Sequence, residues 1–547
     1  MTELEGNIVD VLDGDIFQGV ITMEQGKITD IKRKKVSSGR YVLPGFIDSH
    51  IHIESTKLPP SEFSRTAVKH GTVAAVSDPH EIANVLGVEG IRFMIVEGER
   101  TPLKFFFGAP SCVPSTPYET SGAEVSANEI ETLFERKRCA FLGEVMDYVG
   151  VVNGDEELIK KIDTAHRYGV KVDGHAPGLR GDDLKKYIEA GISTDHECTG
   201  RGEAVEKLEK GMKIQIREGS AAKDFDELVE LIEDHPKRCM LCTDDIHVQD
   251  LTRGHIDELV KRAVEEGLDP FKVLRTACVN PVQHYGLDVG LLKEGDPADL
   301  VVVNDLREFE VRKTFIDGEL VYDAEVGVSF QREKKSRKIN RFKARKLRTP
   351  ELALERKGKN IRVITIYDKK LRTGQIVEEP RVDDGKVVAD AERDVLKLVV
   401  VNRYEEGASP ALGFVHNFGL NEGALASSVL HDSHNIAAVG TDDLSIERAV
   451  NAVIEERGGL AAVSDSEQKI LPLPIAGLMS DRSTEEVEKR YSELRKEAVS
   501  MGCELSSPFM TLSFLSLLVV PELKMSDRGL FDVHRSRFVS VFTDITT

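Results

Sequence analysis

At 547 residues the chain exceeds one ordinary domain, and roughly two to four are expected. A net charge of −21 argues against a general nucleic-acid binder, because phosphate contacts need a basic surface, and no apolar run is long enough to span a membrane. The acidic start carries no signal-peptide pattern and the seven cysteines are scattered, which predicts a cytoplasmic protein with free thiols.

Residues 6–32 read as a β-rich start with turn signals at Asp13-Gly14 and Gln25-Gly26. Strand-like runs then recur at 42–53, 71–78, 104–112, 140–147, 171–176, 193–198, 213–219 and 238–245. Helical patterns separate many of them, among others at 155–166, 182–190, 203–210 and 224–234. Alternating strand and helix predicts a parallel sheet, and eight units in this length predict a (β/α)8 barrel of the TIM type. Beyond it, 291–303 and 313–323 read as further strands, the latter turning at Asp317-Gly318. A basic run occupies 332–348, and 351–547 alternates strands with helices as a separate α/β domain. The run reads as a solvated linker or a contact to acidic surface rather than as a nucleic-acid arm.

The first barrel strand ends in His50-Ile51-His52. Side chains on a strand alternate, so both imidazoles point one way and could grip one metal ion. Polar residues also end other predicted strands: Glu144 the fourth, His175 the fifth, His196 the sixth and Asp244 the eighth. Singly each has an ordinary explanation, such as a surface carboxylate for Glu144 or a helix cap for Asp244. Together they fall on the C-terminal face of a barrel, where active sites form. Six such groups exceed the needs of one zinc, so the set reads as two divalent metal ions with Glu144 placed to bridge them. Nitrogen and carboxylate ligands suit Mn, Fe or Zn.

With those residues in place, the chain resembles the amidohydrolase superfamily, and within it the two-metal adenine deaminases of microbes. The matching segments include Pro44 to Ser55, Asp78-Pro79-His80-Glu81, Gly143-Glu144, Asp173-Gly174-His175, Asp195-His196-Glu197 and Thr243-Asp244-Asp245. Later matches are Ala424 to Ser428, His431-Asp432-Ser433-His434 and Pro508 to Ser513. Many amidohydrolases carry a carboxylated lysine on the fourth strand; Glu144 stands there instead, as in the adenine deaminases.

The resemblance implies hydrolysis of adenine to hypoxanthine and ammonia in purine salvage, with a metal-activated hydroxide attacking C6. The metals implied are two per chain, Mn or Fe ahead of Zn. Asp244 would act as base and then acid, and Glu81 as purine contact and proton shuttle, although Glu81 also suits the N-terminus of a helix. Ser55, Asp78, His80 and His434 are candidate substrate contacts; Ser55 could equally cap a helix, and the loop 431–434 could equally be a satisfied polar turn. The resemblance also implies a small composite β domain built from both flanks of the barrel. The expected division is therefore 1–43 and 287–330 for that domain, 44–286 for the barrel, 331–350 for a basic linker and 351–547 for the C-terminal domain. The expected partner is a small purine base, with no nucleic acid or membrane and with assembly as a homodimer or higher homo-oligomer.

Competing signals are weaker. Cys239 and Cys242 form a CxxC without a second metal-binding pair and read as buried thiols. His52-Ile53-Glu54 with that CxxC imitates a cytidine-type zinc deaminase, but Arg238 stands where that signature has proline. The alternative enzymes are another cyclic amidohydrolase or a purine or pyrimidine deaminase, and the alternative class is an inactive metal-binding scaffold.

Overall fold

The computed structural model describes residues 1–332 and 336–544. The chain forms two compact units. The first holds Met1–His80, Arg92–Ser111 and residues 126–332; the second holds Glu81–Ile91, Cys112–Val125 and residues 336–544.

In the first unit eight parallel strands form the barrel: Phe46–Ile51, Thr72–Ser77, Lys104–Ala109, Phe141–Val145, Lys171–Gly174, Thr194–Asp195, Lys213–Arg217 and Cys239–Cys242. The fifth and sixth strands join where Ser193 N–H donates to the Val172 carbonyl at 3.0 Å. The ring closes where Asp244 N–H donates to the His50 carbonyl at 2.9 Å and His52 N–H to the Asp244 carbonyl at 3.1 Å. The sixth and eighth strands are shorter than predicted because their polar ends, with His196 and Asp244, turn out of the sheet to build the site, and the seventh ends at Arg217.

The predicted strand 42–53 is in fact two strands, Tyr41–Pro44 and Phe46–Ile51, divided at Gly45. A Cβ at Gly45 would lie 2.3 Å from the Val73 side chain, so only glycine fits there. The break sends Tyr41–Pro44 into a second, eight-stranded sheet with Thr2–Asp10, Asp15–Glu24 and Lys27–Arg33 on one flank. Its other flank is Leu300–Val303, Val311–Ile316, Glu319–Asp323 and Gly327–Val328. Chain from both sides of the barrel thus shares one sheet. Leu43, Val301 and Val303 from it pack with Phe46, Ile214, Ile216 and Leu241 of the barrel in one buried cluster.

Two buried polar networks fix the strand ends. Asp48, one layer below His50 on the same face, accepts from Thr243 Oγ1 at 2.5 Å and from His255 Nε2 at 2.9 Å. Lys207 has no exposed surface and donates to the Ala176 carbonyl, Asp195 Oδ2 and Glu203 Oε1 at 2.7, 3.0 and 2.6 Å. It clamps the ends of the fifth and sixth strands together, and with them His175 and His196.

The second unit is built on a sheet in the order Gly374–Glu378, Asn360–Thr365, Ala411–His416, Val395–Val401, Ile436–Gly440, Ala424–Ser427, Gly459–Val463 and Gln468–Pro472. Helix Asp443–Glu455 covers it through Ile446, Val450 and Val453, which meet Val399, Ala426 and Ala438 in a common core. The helix starts at Asp442, whose carboxylate accepts from Ser445 N–H. A longer helix, Thr484–Ser500, is capped by Ser483 in the same way.

Three residues of the basic run, 333–335, lie outside the described residues. Of the others, Arg337 pairs with Glu89, Lys338 with Asp481, Arg345 with Glu351 and Lys346 with Glu455, all carboxylates of the same unit. All seven cysteines are buried thiols, Cys239 and Cys242 among them. Among the described residues no helix is long and apolar enough to cross a membrane.

Lys524, in the strand Leu523–Ser526, is fully buried and donates to two neutral partners, the Leu371 and Phe514 carbonyls, at 2.8 and 2.9 Å. Burial pushes its amine down from 10.5 to about 7. Between those values the unfolded chain holds a proton that the folded chain does not, so stability rises with pH across that window. Lys524→Met is expected to flatten the rise. Melting temperatures of both proteins from about pH 7 to about pH 9 test this, and equal slopes would disprove it.

Candidate active site

Six buried side chains converge at the C-terminal ends of the barrel strands: His50, His52, Glu144, His175, His196 and Asp244. Glu144 lies between two histidine pairs. Its Oε1 is 3.1 Å from His52 Nε2 and 3.9 Å from His50 Nε2, while its Oε2 is 2.7 Å from His175 Nδ1 and 3.1 Å from His196 Nε2. Asp244 Oδ1 adds a contact of 3.0 Å to His52 Nε2 and one of 3.6 Å to His50 Nε2.

The backbone around Glu144 is held from both sides. Its N–H donates to Asp78 Oδ2 at 2.9 Å, and its carbonyl accepts from Ser111 Oγ at 2.6 Å. Gly143 makes room for Asp78, since a Cβ there would lie 2.2 Å from Oδ2. His52 Nδ1 sits 2.9 Å from the Asp78 carbonyl, an acceptor, so Nδ1 carries a hydrogen and Nε2 faces the centre.

The donor chemistry fits a cation. The Nε2 atoms of His50 and His52 face one another at 3.2 Å with carboxylate oxygens on the same side. Neutral imidazoles so arranged would set lone pairs against lone pairs and oxygens, which positive charge at the centre relieves. The protein itself draws such charge: burial opposes protonation of His196, but Glu144 overrides it and lifts the imidazole to about 9. Burial likewise opposes ionisation of Glu144, and His175 and His196 hold it well below the usual carboxylate range. Imidazole and carboxylate in this ratio suit divalent transition metals.

The remaining candidates fall elsewhere. His80 borders the cluster, with Nδ1 3.4 Å from Glu144 Oε1 and its ring 4.4 Å from that of His52. Asp78 has no exposed surface, and its Oδ2 is spent on the Glu144 backbone. Ser55 donates to Asp245 Oδ1 at 2.5 Å, which anchors the residue after Asp244 and leaves the hydroxyl without a proton for substrate. Glu81 and His434 belong to the second unit and meet there. Glu81 Oε1 is 2.6 Å from His431 Nδ1, and Oε2 contacts His434 Nε2. His434 Nδ1 accepts from Leu430 N–H at 3.2 Å, so Nε2 carries the hydrogen and donates to Glu81. Both nitrogens of His434 are therefore engaged by protein, an arrangement that supports a role through Glu81 instead of direct contact with substrate.

Sequence reasoning missed two buried residues beside the centre. Glu197 Oε1 is 3.7 Å from both His175 Nδ1 and His196 Nε2. Arg217, the last residue of the seventh strand, ion-pairs with Glu197, Asp224 and Asp244. The available signal was position alone: Arg217 ends a barrel strand and Glu197 stands two residues beyond one.

Residues 41–321 match the amidohydrolase family model, and residues 370–537 match the adenine deaminase C-terminal domain. The chain belongs to the amidohydrolase family. It is 53% identical over 542 residues to the adenine deaminase of Salinibacter ruber, covering 99% of both chains. It is 49% identical to that of Methanosarcina mazei over 100% of both chains, and 51% identical to that of a Sulfurovum species over 98% of this chain and 99% of the relative. The amidohydrolase match spans the barrel strands and, of the composite sheet, Tyr41–Pro44, Leu300–Val303 and Val311–Ile316. The C-terminal match contains His431 and His434, the residues that grip Glu81.

His434→Ala removes one of the two imidazoles on Glu81 while leaving the six-residue cluster intact. The expected result is a fall in kcat/KM of about tenfold at unchanged metal content. Kinetics equal to those of the parent would show that the Glu81–His434 contact has no part in the reaction.

Proposed function

We infer that the protein is an adenine deaminase, hydrolysing adenine to hypoxanthine and ammonia. The observation that carries this is similarity in both modules at once: relatives named adenine deaminase align at 44–53% identity over nearly the whole chain. Amidohydrolases are metal-dependent, and the ligand groups of this barrel fit that chemistry. His50 and His52 with Glu144 Oε1 and Asp244, and His175 and His196 with Glu144 Oε2, would hold two ions, Mn or Fe ahead of Zn. When bound, such ions make hydroxide available at neutral pH and offset charge that develops on the substrate.

The chain's own residues then account for the proton traffic. As oxygen adds to C6 of the purine the C6–N1 double bond opens, N1 takes a proton from Glu81, and Asp244 accepts the proton lost by the attacking water. Asp244 then gives that proton to the exocyclic amine, which leaves as ammonia while the C6 hydroxyl becomes a carbonyl and returns its proton to Glu81. Glu81, the residue after His80 on helix His80–Leu86, serves as purine contact and second proton carrier. His431 and His434 orient its two oxygens. Asp78 and Ser111 keep Glu144 from moving as charge changes around it.

Ammonia release from a panel of adenine, other aminopurines, a hydantoin and a dihydropyrimidine tests the reading, using Mn- or Fe-loaded protein. Adenine is expected to be turned over fastest, with close to two metal equivalents per chain. Full metal occupancy without adenine turnover would refute it. Glu144→Gln is expected to weaken metal retention at least tenfold and to abolish turnover, with the far-ultraviolet circular dichroism unchanged.

A further inference from the structure

The seventh barrel strand supplies no member of the six-residue cluster, yet its last residue is the most heavily paired group beside it. Arg217 is 1% exposed. Its Nη1 donates to Asp244 Oδ2 at 3.0 Å and to Glu197 Oε1. Its Nη2 donates to Glu197 Oε2 at 3.2 Å and to Asp224 Oδ2 at 2.7 Å, and Nε donates to the same Asp224 oxygen at 2.9 Å. One guanidinium thus ties the ends of the sixth, seventh and eighth strands. A lysine, with a single nitrogen, could not serve all three carboxylates in this fork geometry.

The other end of Asp244 is fixed as well. Its N–H and carbonyl are both bonded to the first strand, at His50 and His52. Its φ of +53° is left-handed, a conformation that costs a non-glycine residue energy and persists where the surroundings impose it. With the backbone pinned and Oδ2 held by Arg217, only Oδ1 is turned toward His50 and His52. A carboxylate that must take a proton and give it back gains from presenting a single oxygen along a single direction.

We propose that Arg217 is a positioning residue for the reaction: it holds Oδ2 of Asp244 so that Oδ1 alone is presented to the reacting atoms. Glu197 and Asp224 hold the guanidinium in turn. Asp224 is the outer anchor, with its side chain 12% exposed. The inference rests on the role given to Asp244 above, and its test separates the two.

In Mn-loaded protein Arg217→Gln is expected to lower kcat for adenine by about 10- to 100-fold, with KM within about threefold and metal content unchanged. Arg217→Lys, which keeps the charge and one donor, recovers part of the loss. Asp224→Asn loosens only the outer anchor and guards against an unfolded Arg217 variant; it is expected to lower kcat about two- to fivefold at constant KM. Unchanged kcat in all three, or a loss of kcat that follows loss of metal or a parallel rise in KM, would overturn the proposal. A crystal structure of Arg217→Gln gives a readout independent of turnover. The Asp244 carboxylate is expected to have rotated about its side-chain bonds, and an unmoved carboxylate overturns the positioning role whatever the substrate. A parent enzyme that leaves adenine unchanged would overturn the activity, while the structural result would still decide the role of Arg217.

Discussion

Glu144 divides two histidine pairs between its two oxygens, and the barrel mouth is organised around that division. A carboxylate can keep one oxygen toward each histidine pair only if it neither rotates nor slides. The protein achieves this through its backbone: Asp78 takes the N–H, Ser111 takes the carbonyl, and Gly143 leaves space for Asp78 to approach. Each histidine pair is then brought to its own oxygen by different strands. The first pair shares one strand and needs no assembly. The second pair comes from two strands, whose ends Lys207 and Asp195 hold in register.

This arrangement is costly in isolation. Carboxylates at positions 48, 78, 144, 195, 197 and 244 are all nearly or wholly inaccessible to solvent. Desolvating each costs several kcal/mol, and only well-formed pairs offset that. Arg217 and Lys207 each serve several carboxylates, and the histidines supply what remains. An apolar layer of the same size would be at least as stable. The polar layer is explained by the chemistry it permits, while the stability of the first unit comes from the apolar cluster that joins barrel and composite sheet.

Much of this was legible in the sequence because polar residues stand out against apolar strands. His50, His52 and Glu144 close short apolar stretches, His175, His196 and Asp244 stand in the polar ends of other strand-like runs, and the eightfold recurrence of such runs sends their ends to one face. Three features were illegible for physical reasons. The break at Gly45 depends on the Val73 side chain, which is distant in sequence. Arg217 looks like any charged strand terminus until its three carboxylates are placed around it. The segments Glu81–Ile91 and Cys112–Val125 follow barrel strands, yet they pack with the second unit. Their partners there, such as Asp527 for Thr120 N–H, lie hundreds of residues away.

The composite sheet has a consequence for how the molecule is made. Strand Tyr41–Pro44 can pair with Leu300–Val303 only after roughly 250 further residues have left the ribosome. Until then Tyr41–Pro44, which pairs with Thr2–Asp10 on one side, has its other edge open, and an open edge is a template for wrong partners. The charged residues of Lys27–Arg33 guard the far edge of that early sheet. The near edge is closed by the returning strand Leu300–Val303.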